Sequence, residues 1–350
     1  MNRVLAIDVG AGTQDILLYD AQKTIENCVK MVLPSQTVVL AERIMGATRT
    51  GRAVFLTGNV MGGGPLASAV KQHIKAGLRV FATPRAAKSI RDNLQEVEDL
   101  GVQIVDHPPD DAISLTTQDV DLNALWKALA LFDVTLPDRY AIAVQDHGES
   151  AGISQRRLRF KYWADFVKNG GLLKNLVYVD HPPAHLSRMG AVLLDVPGAL
   201  LMDTAAAAVV GTLCDEKVAT HRAEGLVIVN IGNQHTLGVL CQGERIWGVF
   251  EHHTVLMDSD KLERYVRQLR DGVLSNDEVY GDNGHGAYID PDYPTLRSGN
   301  ASAFRFVTVT GPNRHMARNL NYYFATPHGD MMLSGCFGLV TAARWMGWVS

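Results

Sequence analysis

The stretch VLAIDVGAGTQDILLYD, residues 4–20, decides the fold of this chain. It predicts an apolar strand, a turn that carries an acid, two glycines and a hydroxyl, and then a second apolar strand. Because Gly10 and Gly12 have no Cβ, backbone N–H groups of the turn can point at an anion. Asp8, at the end of the first strand, is placed to hold Mg²⁺ directly or through water. Residues 16–18 read as strand rather than helix, so neither a Rossmann fingerprint nor a Walker loop fits.

Composition limits the class of protein. The 350 residues are 47% hydrophobic and 20% charged, which is enough for a large core and for two domains. A net charge of −4 argues against a nucleic-acid or membrane surface as the main partner. The four cysteines are scattered without CxxC spacing, and no signal peptide is recognisable. These features predict a reduced, cytoplasmic protein without a disulfide framework, a zinc ribbon or an iron–sulfur cluster.

Alternating strands and helices predict an α/β domain with a largely parallel sheet in the first half of the chain. One continuous helix is expected over residues 86–100. A buried strand over residues 140–144 delivers Gln145 and Asp146 at its carboxyl end, where open α/β sheets bind ligands. Asp146 is a candidate catalytic group there, and the alternative role is a helix N-cap after the strand.

A second α/β region follows. Strands are expected over residues 192–194 and 200–202, and an alanine-rich helix suited to close packing over residues 204–213. We therefore expect a first domain over residues 1–188 and a second over residues 189–350, with the C-terminal helix packing back on the first.

The second region repeats the residue pattern of the opening hairpin. Residues 227–243, VIVNIGNQHTLGVLCQG, repeat the order of apolar strand, Asp or Asn, apolar residue, Gly, polar turn and apolar strand. One glycine hairpin is common, whereas two at the heads of two α/β halves indicate duplicated domains that offer both turns to the same phosphates across a cleft. The residues expected to line the phosphates are Gly10, Ala11, Gly12 and Thr13 on one side and Gly232, Asn233, Gln234, His235 and Thr236 on the other.

The two hairpins and three further segments resemble the actin-like ATPase superfamily, which includes actin, Hsp70 chaperones, sugar kinases and acetate kinase. LLMDTAAAAVVGTL, residues 200–213, is similar to the connecting helix of that superfamily. FRFVTVTGPNRHMARNL, residues 304–320, resembles its adenosine motif, and SGCFGLVTAARWMG, residues 334–347, its closing helix. The resemblance spans nearly the whole chain and implies duplicated ribonuclease H-like α/β domains that flank a nucleotide cleft.

The resemblance also implies a site and an activity. The chain is expected to bind ATP with Mg²⁺ and to transfer a phosphoryl group to an unknown small-molecule or protein acceptor, or to hydrolyse ATP. Asp8 would hold the metal. Asp146, as base, or Gln145 would orient or activate the attacking water or hydroxyl. Gly311 and Asn313 of the adenosine-like segment complete the nucleotide site.

Two departures from the superfamily pattern support a second hypothesis. Asn230 stands where the second phosphate motif begins with Asp, and Pro312 follows Gly311 where two glycines are usual. The alternative is therefore a nucleotide-sensing partner protein without catalysis. Within the superfamily the chain is most similar to the uncharacterised DUF1786 family, which carries the label of pyruvate formate-lyase activating enzymes. Such enzymes are radical SAM proteins with a CxxxCxxC triplet, and four isolated cysteines cannot supply it.

Histidines give a third hypothesis, a metal-dependent enzyme. Several of the 12 histidines lie beside acids, and the phrase VDHPP occurs at residues 105–109 and 179–183. His181 and His185 have the spacing of a helical metal pair, although two prolines lie between them. His147 follows Asp146, and His252 and His253 are adjacent. The alternative is that these are turns at strand ends. The basic run QRRLRFK, residues 155–161, predicts a solvated helix face, with anion binding as the alternative.

Overall fold

Strands and helices alternate along the chain. The computed structural model describes residues 2–149, 154–293 and 303–350. The strands are β1 Arg3–Val9, β2 Thr13–Asp20, β3 Val29–Pro34, β4 Val54–Gly58, β5 Val80–Ala82, β6 Val102–Ile104, β7 Ile113–Thr117, β8 Tyr140–Val144, β9 Tyr178–Val179, β10 Leu200–Met202, β11 Leu226–Ile231, β12 His235–Gln242, β13 Arg245–His253, β14 Gly286–Ile289, β15 Phe306–Thr310 and β16 Tyr323–Phe324. The α-helices are α1 Gln36–Arg49, α2 Gly64–Lys75, α3 Pro84–Ala87, α4 Leu94–Asp99, α5 Leu122–Ala130, α6 Gln155–Lys168, α7 Ser187–Asp195, α8 Thr204–Thr212, α9 Glu216–Thr220, α10 Ser259–Arg270, α11 Asn276–Gly281 and α12 Ser334–Trp345.

Two sheets are built to one plan. The first has the strand order β3-β2-β1-β8-β10-β9, and the second has the order β14-β13-β12-β11-β15-β16. In each, three consecutive strands form an antiparallel meander, and a later strand pairs in parallel with the first strand of that meander. The next strand, β10 or β16, adds in parallel beside it. This repetition confirms the predicted duplication of ribonuclease H-like domains, the fold of the actin-like ATPases.

A third sheet lies between β3 and β8 in the chain. Its order is β6-β5-β4-β7, all its pairs are parallel, and helices α1 to α4 accompany it. The expectation of one largely parallel sheet in the first half is therefore wrong, because β4 pairs with β5 and β7 rather than with the opening hairpin. The single helix expected over residues 86–100 is also wrong. Thr83 caps α3 and Asn93 caps α4, so the chain starts a new helix after a turn.

The junction between the halves differs from the expectation. Residues 192–194 lie inside α7 rather than in a strand, since Met189 and Val192 bury one face of a helix. Short apolar runs of this kind do not distinguish a buried helix from a strand. β10 pairs with β8, so it extends the first sheet. The expected boundary after residue 188 falls within α7.

Helices α8 and α12 pack against each other between the two sheets, and their backbones are in contact. A Cβ on Gly211 would overlap the Ser334 carbonyl oxygen, and a Cβ on Gly338 would overlap the Ala207 carbonyl oxygen. Only glycine permits this approach, and both helices are buried almost throughout. The alanine-rich and glycine-bearing helices singled out by the resemblance thus form the joint between the two halves. None of the helices in the described residues combines the length and apolar character needed to cross a membrane.

Candidate functional site

The two predicted phosphate turns have the same geometry. The Gly10 N–H donates to the Thr13 carbonyl at 2.8 Å, and the Gly232 N–H donates to the His235 carbonyl at 2.9 Å. Each bond closes a turn between the first two strands of its sheet. The repeated sequence pattern therefore corresponds to a structural repeat, in which His235 occupies the position of Thr13.

A cavity of about 520 Å³ lies between these turns. The predicted site residues that line it are Asp8, Gly10, Ala11, Thr13, Gln145, Asp146, Gly232, Asn233, Gln234, His235 and Gly311. Gly12 lies where the turns meet, because a Cβ on it would stand 3.1 Å from Asn233 Nδ2. The structure thus gathers residues from both halves around one space.

Besides Gly12, two predicted residues lie outside the cavity lining. Thr236 is fully buried, and its hydroxyl lies 3.0 Å from the hydroxyl of Thr254. The alternation of side chains along β12 turns it away from His235. Asn313 supports the second turn from outside, since its Nδ2 donates to the Gly232 carbonyl at 3.0 Å. Both side chains therefore bond within the protein, and their contact with phosphates stays a prediction.

Asp8 has a buried acidic neighbour that sequence reasoning missed. Asp8 and Asp15 pair directly across the first hairpin, and both line the cavity. Thr204 Oγ1 donates to Asp8 Oδ1 at 2.5 Å, whereas Asp15 Oδ1 is buried without a hydrogen-bond partner among the described residues. The hairpin register was the available signal, because a closed turn between residues 10 and 13 places Asp15 opposite Asp8.

Burial controls the protonation of this acid pair. Burial raises the pKa of Asp8 to about 7, against the effect of the Thr204 hydroxyl. Burial raises the pKa of Asp15 to about 8, and the charge of Asp8 adds to the rise. Gly335, at the start of α12, faces the pair so closely that a Cβ on it would overlap Asp8 Oδ2. The pair is thus a narrow and largely buried carboxylate site.

Asp146 is engaged on both of its carboxylate oxygens. Oδ1 accepts from the Gly148 N–H at 2.8 Å, and Oδ2 accepts from the Met189 N–H at 2.9 Å. Burial raises the pKa of Asp146, and these two hydrogen bonds oppose the rise. The carboxylate therefore ties the segment after β8 to the first turn of α7. This role is similar to the helix N-cap that was the alternative to catalysis for Asp146. Gln145 Oε1 lies 2.8 Å from His235 Nδ1 and links the two halves.

A buried ion-pair network lies beneath the cleft. Arg159 Nη1 and Nη2 contact both oxygens of Asp203 at 2.5 and 2.9 Å, and its Nε contacts Glu251 at 3.1 Å. Arg159 also donates to the Asp146 carbonyl at 3.1 Å. Burial would raise the pKa of Glu251, but the guanidinium outweighs it and holds that pKa well below its usual value. The expected solvated face of residues 155–161 is wrong for Arg159, which joins both sheets.

Three basic side chains line another part of the cavity. Lys71, Lys88 and Arg91 lie there with Asp92 and the glycine-rich residues 60–64, and Lys88 Nζ pairs with Glu149 at 2.5 Å. Among these, a Cβ on Gly64 would stand 2.8 Å from Gln234 Nε2, so the segment closes against the second turn.

Histidines from both halves meet beside the cleft. One nitrogen of each of His147, His235 and His285 lies within 4.8 Å of the others. Burial lowers the pKa of His147 well below its usual value, that of His235 to about 4 and that of His285 to about 3. Within the described residues, this is the group of three or more potential metal ligands that the fold assembles. His181 and His185, paired from sequence, are not part of it.

The fold and cleft define an actin-like two-domain protein. The chain belongs to the family described as "Putative pyruvate format-lyase activating enzyme (DUF1786)", whose model matches residues 61–316. No curated protein matches the chain.

Solved structures of low identity also align with most of the chain. Ethanolamine utilization protein EutJ from Carboxydothermus hydrogenoformans is 10% identical, with 97% of this chain and 89% of that chain covered and a TM-score of 0.34. MreB 5 of Spiroplasma citri, bound to AMPPNP, is 9% identical, with 99% of this chain and 97% of that chain covered and a TM-score of 0.35. The fold is assigned from the strand order of the two sheets.

Proposed function

We propose that the cleft binds a nucleoside triphosphate, ATP in the first instance, with Mg²⁺, and uses it for phosphoryl transfer or hydrolysis. One observation carries the proposal: the same closed glycine turn occurs in both halves and faces one cavity beside a buried acid pair. The cavity is large enough for a cofactor-sized ligand, since small-molecule sites are about 300–1,000 Å³.

The turns provide donors for phosphate oxygens. The backbone N–H groups of Ala11 and Gly12 in the first turn, and of Asn233 and Gln234 in the second, form no hydrogen bond within the described residues. Unpaired amides of successive turn residues form a concave anion site. The phosphates would lie between the two sets, and Lys71, Lys88 and Arg91 would face the acceptor.

The acid pair fits magnesium. Asp15 Oδ1, which has no hydrogen-bond partner among the described residues, and the carboxylate of Asp8 offer hard oxygen ligands, which Mg²⁺ prefers. Asp8 and Asp15 would hold the ion, and the ion would neutralise charge on phosphate oxygens. Thr204 keeps the Asp8 carboxylate in place, and Gly335 leaves room for it. The chain's own part in catalysis is thus positioning and exclusion of water.

Binding without turnover is the second candidate, and two observations favour it. Both oxygens of Asp146 are already held by backbone N–H groups, so the carboxylate is tied to the fold rather than free to approach a nucleophile. Asn230, at the position of Asp8 in the second hairpin, lines the cavity without a charge. The isolated cysteines give no support to a radical SAM activity, so we propose no role in such chemistry.

Thermal unfolding tests the proposal. Mg²⁺ with ATP should raise the melting temperature of the wild-type protein and leave that of Asp8→Asn unchanged. Asp138→Asn, an exposed carboxylate away from the cavity, is the matched control and should retain the full shift. Absence of any shift in the wild type at saturating ATP would overturn the proposal. Phosphate release, measured on the same samples, separates turnover from sensing.

A further inference from the structure

We propose that His147, His235 and His285 form a site for a divalent transition-metal ion of the zinc class, separate from the acid pair at Asp8. Three strand ends from both halves converge there. His147 follows β8 of the first sheet, His235 opens β12, and His285 immediately precedes β14 of the second sheet. Their ring centroids are 4.8 to 6.0 Å apart.

The donor set decides the kind of metal. Imidazole nitrogens suit Zn²⁺, Ni²⁺, Cu²⁺ and Fe²⁺, whereas Mg²⁺ selects oxygen ligands. Zinc–nitrogen bonds of about 2.0–2.1 Å place tetrahedral ligands about 3.4 Å apart. The three nitrogens lie within 4.8 Å of one another, so small side-chain rotations bring them onto one ion.

The surroundings prepare these side chains for a metal. The Gln145 carboxamide contacts His235 Nδ1 with its oxygen, at 2.8 Å, and with its nitrogen, at 2.6 Å, so Nδ1 is occupied and His235 Nε2 is left as the ligand. A hydrogen bond on the other ring nitrogen is the usual support of a metal-bound histidine. His285 is 2% exposed, and its Nδ1 is buried without a hydrogen-bond partner in the described residues. An unpaired buried nitrogen is costly unless a ligand satisfies it.

The site has an open side. His147 and His235 line the cavity, whereas His285 does not. The backbone N–H of His285 donates to the Glu251 carbonyl at 2.9 Å, which fixes its position beside β13. Three protein ligands with a fourth position toward a cavity are the arrangement of catalytic rather than structural zinc sites. The ion would therefore hold a water or an oxygen of the cleft ligand at that position. His253 is a fourth imidazole, 4.7 Å from His285 between ring centroids, at the edge of the site.

Calorimetry with Zn²⁺ alone tests this site without any nucleotide, so its result is independent of the proposed function. Protein without a histidine tag, stripped with chelator, should bind one Zn²⁺ per chain. His147→Gln and His285→Gln should each weaken binding more than about 100-fold, and Gln145→Ala, which removes only the support, about 10–100-fold. His181→Gln, at an exposed histidine outside the cluster, is the matched control and should bind as the wild type does.

The failure outcomes are distinct. If the wild type binds less than one Zn²⁺ per chain, or if both cluster variants bind as tightly as His181→Gln, the site does not exist. Unfolding in chelator checks that each variant is folded. Should buried His285→Gln not fold, the less buried His147→Gln decides the question alone. Co²⁺ in place of Zn²⁺ should give the visible absorption of a tetrahedral nitrogen site in the wild type, and this absorption should be lost in His147→Gln.

Discussion

Replacing Asp8 by Asn should stabilise the metal-free protein at pH 8 while it abolishes the response to Mg²⁺ and ATP. Burial raises the pKa of Asp8 from 3.8 to about 7, so the fold favours the protonated carboxyl. The stabilising effect of the proton is complete below pH 3.8 and is lost as the pH rises through 7. A shift of this size corresponds to about 4 kcal/mol, and coupling to Asp15 makes about 2–4 kcal/mol a realistic gain for the variant.

Urea unfolding in chelator at pH 5 and at pH 8 measures this gain. At pH 5 the carboxyl is protonated in the fold but largely ionised in the unfolded chain, so part of the gain is already present, and the variant should exceed the wild type in free energy of unfolding by less than half of the difference at pH 8. At pH 8 the variant should be the more stable protein, because Asn keeps the acceptor for Thr204 and carries no charge. Equal destabilisation of the variant at both pH values would refute the reasoning, since it would show that the carboxylate is satisfied within the fold. Asp138→Asn should change neither value.

Three further substitutions test the close glycine contacts of α12 and the buried ion pairs of Arg159. Gly335→Ala should push the Asp8 carboxylate aside, cost about 1–3 kcal/mol in urea unfolding and reduce the thermal shift with Mg²⁺ and ATP; a full shift would contradict the close approach. Arg159→Met should cost about 3–5 kcal/mol, because Asp203 and Glu251 remain buried and unpaired, and adding Asp203→Asn and Glu251→Gln should restore much of that loss. Gly338→Ala should destabilise by at least about 1–3 kcal/mol through overlap with α8, whereas Gly190→Ala, whose Cβ would meet nothing within 4 Å, should be neutral or slightly stabilising.

The sequence predicts this fold best where the signal is local. Both hairpins follow from apolar strands around a glycine turn, and the structure closes both turns with equivalent hydrogen bonds. Pairing between distant strands is not local, which is why β10 was assigned to the second region and the parallel sheet around β4 was merged with the first. A three-residue strand such as β10 carries no information about its partner.

The same distinction explains what was missed in the site. Asp15 lies only a turn away from Asp8, and the register of the hairpin is a local signal that places the two side by side. The histidine cluster has no such signal, because its three members follow or precede strands that only the tertiary fold brings together. Pairing histidines by sequence distance favoured His181 and His185, which the fold leaves outside the cluster. Arg159 was misjudged for a related reason: a basic run predicts a solvated face unless buried carboxylates from two other elements meet it.

The two hairpins share a backbone hydrogen-bond pattern and differ in chemistry, and this difference accounts for the two kinds of metal site that we propose in one cleft. Asp8 in the first hairpin corresponds to Asn230 in the second, and Thr13 corresponds to His235. The first half therefore offers carboxylate oxygens, which suit a hard cation beside phosphates. The second half lacks that charge and offers an imidazole, which suits a transition metal. If both proposals hold, Asp8→Asn should remove the response to Mg²⁺ and ATP and leave Zn²⁺ binding intact, and His147→Gln should do the reverse. Joint loss of both in either single variant would show one shared site instead of two.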